Sequence, residues 1–114
     1  MIRFATLFLP ALGLATAAAA AIPMLHEERV ARLEESRIIT LPIAGIENRL
    51  WFDYRINVTE AQKELGSDLR RATDIEDRRD AWEEYAVELK HERVQYTTKM
   101  AKRGYRMGNA VIVD

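Results

Sequence analysis

Nine apolar side chains between Ile43 and Ala72 recur at a mean spacing of 3.6 residues: Ile43, Ile46, Leu50, Tyr54, Val58, Ala61, Leu65, Leu69 and Ala72. That is the α-helical period, so a helix over this stretch presents one continuous water-avoiding face. The pattern resumes in Ile75, Trp82, Ala86, Leu89, Tyr96 and Met100, with Ile75, Trp82, Leu89 and Tyr96 seven residues apart and Tyr85 at the flank. Both stretches are much longer than a strand, and the expected class is all-α. Lys99, Lys102 and Arg103 gather in the last turn, where cations oppose the carbonyl end of the helix dipole, and Gly104 suits a left-handed cap.

The junction between the two stretches decides the architecture. Thr73-Asp74-Ile75-Glu76 has the form of a capping box and marks a helix starting at Asp74. Residues 42–104 are then a long antiparallel helical hairpin, with Pro42 in the first turn. A single continuous rod, paired with another chain as a coiled coil, is the alternative, because the stripe stays in phase from Ala72 to Ile75. A second box, Thr59-Glu60-Ala61-Gln62, follows the β-branched Ile56 and Val58 and offers a break of the first helix near Asn57. Gly66-Ser67 is a further soft point.

Residues 1–21 read as a cleavable signal peptide. Arg3 gives a positive start, Phe4–Leu14 is uncharged and apolar, and Ala15–Ala21 is small throughout, with cleavable Ala-Thr-Ala and Ala-Ala-Ala steps. The rival is a retained anchor, since Phe4–Leu25 carries no charge and is long enough to span a bilayer. Its Ala, Gly and two prolines make it a weak one. Cleavage places the chain in the periplasm or outside the cell, and the absence of Cys suits a bacterial periplasm.

Residues 22–41 form an N-terminal segment and connector. His26–Arg37 is densely charged, with only Leu25, Val30 and Leu33 as apolar positions, and predicts a short surface helix. Ile38-Ile39-Thr40-Leu41 before Pro42 reads as an extended connector or short strand. The extended tail, 105–114, holds Ala110-Val111-Ile112-Val113, which suits pairing with Ile38–Leu41 or docking on a partner.

Several kinds of chemistry are disfavoured by inventory. The chain has 17 basic and 18 acidic residues, of which only Arg3 leaves with the signal, so it lacks the basic surplus that nucleic-acid binding needs. With no Cys, two serines after the signal and two histidines, a nucleophilic catalytic group is not expected, nor is a cofactor or a small-molecule substrate. The sharpest metal hypothesis is Glu88-x-x-His91, one quarter of a di-iron carboxylate set, with Glu60 or Glu64 completing it in a metal-dependent oxidase. On a helix Glu88 and His91 lie about 100° and 160° from the Trp82/Leu89/Tyr96 stripe, towards water. No metal site is therefore expected. Lys99–Arg106 holds four cations and no acid and offers a peripheral contact with a membrane surface.

The contact residues we expect are aromatic or branched. Trp51 and Phe52 lie 100° and 200° past Leu50 and do not share its stripe fully, unless the N-terminal segment or the tail covers Trp51. Val87, Val94 and Ala101 form a second thin apolar stripe nearly opposite Leu89, so something packs on both sides of that helix. Trp51, Phe52, Trp82, Tyr85, Val87 and Val94 are the expected contact surface, for a homodimer or a protein partner.

Val58-Thr59-Glu60-Ala61-Gln62 resembles the L-T-x-x-Q motif of the small periplasmic stress chaperones of the Spy/CpxP type, with Val58 where Leu is usual. Ala72-Thr73-Asp74-Ile75-Glu76 departs further, with Glu for Gln. The resemblance implies an exported all-helical dimer, shaped as a cradle, with a chaperone or envelope-stress role. The residues themselves point to a non-enzymatic exported binding protein, an envelope adaptor or accessory subunit of a larger periplasmic or membrane-associated assembly.

Overall fold

The computed structural model describes residues 23–107. Among the described residues three helices follow one another: α1 (His26–Glu35), α2 (Arg49–Arg71) and α3 (Ile75–Lys102), with a 3-10 turn over Ile43–Gly45 in the connector between α1 and α2. The signal-peptide segment and the Ala110–Val113 pairing lie outside the described residues. No helix among the described residues is long and apolar enough to cross a membrane. The long helices α2 and α3 pack against each other as a hairpin, and α1 packs on α3 as well. Glu27 pairs with Arg79 and Glu34 with Arg93, so α1 runs in the same direction as α3.

The hairpin differs in detail from the reading of its periodicity. The first long helix starts at Arg49, not beside Pro42, because Ala44 and Gly45 take left-handed φ values of 56° and 72°. Such a backbone cannot continue a right-handed helix; glycine adopts it freely, whereas alanine is strained by it. Ile43 is nonetheless buried, so the apolar spacing continued across a segment that is not helical. Asn48 begins α2 afresh by accepting a hydrogen bond from the Trp51 N–H at 3.1 Å. From there the helix runs unbroken to Arg71 through Asn57, Thr59 and Gly66, so the break near Asn57 is absent.

The turn between the long helices is capped one residue later than expected. Asp74, not Thr73, is the N-cap and accepts from the Asp77 N–H at 2.9 Å. The Asp77 carboxylate reaches back to the Thr73 N–H at 3.1 Å and its hydroxyl at 3.0 Å. The overlapping frames T-x-x-E and D-x-x-D compete here; Asp74 caps the helix, while Asp77 reaches one residue further back than a capping box would, to Thr73. At the other end Gly104, with φ 91°, closes α3. The Tyr105 N–H reaches the Met100 carbonyl and the Gly104 N–H the Ala101 carbonyl, both at 3.0 Å, which is a Schellman cap.

The core is aromatic. Trp51, Tyr54, Val58 and Ala61 from α2 meet Leu89, Tyr96 and Met100 from α3. The Tyr54 and Tyr96 rings stack with centroids 4.9 Å apart, and Trp51 lies 5.9 Å from Tyr96. Pairs of this kind contribute about 0.5–1.5 kcal/mol beyond the area they bury. The two hydroxyls then hold the connector: Tyr54 accepts from the Ile39 N–H at 2.9 Å and Tyr96 from the Ile43 N–H at 3.0 Å.

Removing those hydroxyls leaves two covered amides without acceptors. Tyr96→Phe should cost about 1–3 kcal/mol, since the Ile43 bond is buried. Tyr54→Phe should cost less, because its bond is only partly buried. Urea denaturation of each variant measures this through the midpoint, with the slope unchanged.

Candidate contact surface and acidic cluster

The six residues expected to form a contact surface divide into two groups. Trp51, Trp82 and Tyr85 are each 3% exposed and belong to the core of a single chain. Trp51 is part of the α2 stripe after all: Trp51, Tyr54, Val58, Ala61 and Leu65 step by three and four, and half-buried Leu50 is the stripe's edge, not its centre. Ile38, Ile39 and Thr40 of the connector line a small cleft with Trp51 and Tyr54, as the covering N-terminal segment requires. Phe52, Val87 and Val94 are exposed instead, at 48%, 64% and 45%.

Helix α1 is what hides Trp82 and Tyr85. It turns Ala31 and Glu34 inward, whereas Val30 and Leu33 are exposed, so the apolar residues of this segment were a poor guide to its buried face. Ala31 is fully buried and allows close approach. The Glu34 carboxylate receives Arg93 from α3 and Arg37 from the connector, each at 3.2 Å, which is the pairing a buried acid requires. The Arg32 guanidinium lies 4.7 Å above the Trp82 ring, a cation–π arrangement. Tyr85 donates to the Glu35 carboxylate at 2.6 Å, and burial first, then that bond, push its hydroxyl well above the usual tyrosine range. The Trp82 indole N–H is buried with no acceptor among the described residues.

The outer face of α2 carries an exposed apolar pair one turn apart, Phe52 and Ile56. Arg55, Thr59, Glu60 and Lys63 complete a shallow groove around it. On α3 the exposed stripe is Val87 and Val94, continued by half-buried Ala101. Thr59 and Gln62 of the chaperone-like motif sit in the middle of α2 and are exposed, while Val58 is buried.

Glu88 and His91 line different clefts and do not share a site. Glu88 faces a cleft with Glu60, Glu64 and Glu92, while exposed His91 lines a different one beside Gln95. The acids that do come together are Glu64, Asp68 and Glu84, with carboxylate oxygens within 4.8 Å of one another. Sequence reasoning missed this grouping because it joins helices that are neighbours only once the hairpin closes. Arg71 offsets part of it through a 2.7 Å pair with Asp68. Desolvation, and then the charges of Glu64 and Asp68, raise the Glu84 carboxyl above the usual glutamate range. No protein-family model, curated protein or solved structure matches this chain.

The raised Glu84 carboxyl means that the folded chain holds this proton more tightly than the unfolded chain, so stability from this group falls as pH rises through the folded-state value. Glu84→Gln should therefore stabilise the protein at neutral pH. The site is solvated, so the gain is a few tenths of a kcal/mol, or roughly 1–3 °C in Tm. Melting curves at pH 7 and pH 4 measure it, with the difference vanishing at the lower pH.

Proposed function

We propose that this chain is a non-enzymatic binding protein of the cell envelope, exported by residues 1–21, and an adaptor or accessory subunit of a larger periplasmic or membrane-associated assembly. The export address supports the compartment. The observation that carries the binding role is the pair Phe52 and Ile56, 48% and 58% exposed on the outer face of α2. Isolated exposed apolar residues are ordinary, but two of them one turn apart on a 23-residue helix form a fixed patch. The aromatic core anchors the opposite face of the same helix, so the patch is presented without a change in backbone. A protein partner placing an apolar side chain between Phe52 and Ile56 would remove both from water, with Arg55 and Lys63 at the rim.

Photo-crosslinking from position 52 in the native envelope tests the role. One recurrent protein adduct, lost when Ile56 is also changed to Ser, is the expected result. Adducts scattered over abundant proteins, or confined to lipid, overturn it. Helicity by circular dichroism should be unchanged in Phe52→Ser and Ile56→Ser, because neither side chain belongs to the core.

A further inference from the structure

We propose that the outer face of α3 is a two-fold interface with a second copy of this chain, with the two α3 helices antiparallel. The inference builds on the reading that exposed apolar faces of this protein are contact surfaces, and it assigns this one to self-association. Its centre is Val87 and Val94, exposed and seven residues apart, with Ala101 one further heptad along. A seven-residue repeat keeps a seam facing its partner along the length of a helix pair, which a pair of random surface apolar residues does not.

The charges select the occupant and its direction. Glu76, Asp80 and Glu83 precede Val87 on this face, and all three are exposed. From Val87 onward the face holds no acid: Lys90, His91, Thr98 and Ala101 line it, with Lys102 at its edge. Arg79, the cation nearest the acidic end, is engaged by Glu27 of α1 at 3.2 Å. The face is therefore acidic at its amino end, and beyond Val87 its lysines, Lys90 at the middle and Lys102 at the far edge, meet no acid. A parallel pair would set three acids against three acids. An antiparallel pair sets Asp80 near the partner's Lys102 and packs Val87 on the partner's Val94, with the axis between Lys90 and His91 and the two exposed Lys90 chains side by side at the flank of the seam. That is the self-complementarity an isologous contact needs. The exposed face of α2 lacks it, since acids and bases alternate along it, Arg49 pairing with Asp53 at 3.7 Å and Lys63 with Glu60 at 4.0 Å, with no separation of charge between its ends.

The natural chain has no Cys, so single cysteines report the geometry without background. Lys90→Cys, beside the axis, should give a disulfide-linked dimer on mild oxidation of the purified mature protein. Glu76→Cys should not, because its two copies lie about 44 Å apart at 1.5 Å per residue from the axis. The Val87→Glu/Val94→Glu variant should weaken the dimer by about tenfold or more in sedimentation, with helicity unchanged because both positions are exposed. A monomer at high micromolar concentration, or Glu76→Cys crosslinking as readily as Lys90→Cys, overturns the proposal. A partner captured through position 52 would be untouched by that failure, and the loss of that partner would leave the dimer standing.

Discussion

Two phenolic oxygens tie this fold together. Tyr54 and Tyr96 stack across the α2–α3 seam, and each turns its hydroxyl outward to accept a backbone N–H from the connector, at Ile39 and Ile43. The hairpin alone would leave one end of its aromatic cluster wet. The connector covers that end, and it brings with it the amides that a chain outside regular structure cannot satisfy by itself. Tyrosine answers both needs, since its ring fills the core and its oxygen meets the strap. The left-handed turn at Ala44–Gly45 then follows as the bend that lets the strap lie across the helices before Asn48 starts the next one.

Periodicity made the two long helices legible, and it did so because each buries a stripe against the other. It was silent wherever burial arose by another route. Ile43 reaches the core from a turn, so its place in the 3.6-residue series was genuine while the helix it implied was not. Trp51 falls outside the 3.6-residue series because that series runs through Leu50, which is the edge of the buried face and not its centre. Glu34 is the clearest case: a glutamate reads as solvent-facing, and Arg93, 59 positions away, joins Arg37 in making its burial tolerable.

The same distinction governs the surface. Of six side chains singled out for contacts, the larger aromatics are interior, because burying a Trp or Tyr is worth most to the monomer itself. What remains outside is smaller and set in patches, Phe52 with Ile56 on α2 and Val87 with Val94 on α3. The first patch lies among paired charges of both signs, whereas the second follows an acidic stretch and precedes a basic one. Two helices of one hairpin thus present chemically different outer faces.

The position of α3 has a consequence for how the chain comes to be folded. It comes last of the described helices and is the one that both others lean on, with ion pairs to α1 spanning 52 and 59 residues. A chain emerging amino end first therefore shows His26–Glu35 long before its support exists. Its Glu34 must wait in water, unpaired with Arg93, until synthesis has passed residue 93. The first half of the chain thus lacks its long-range partners until α3 has been made.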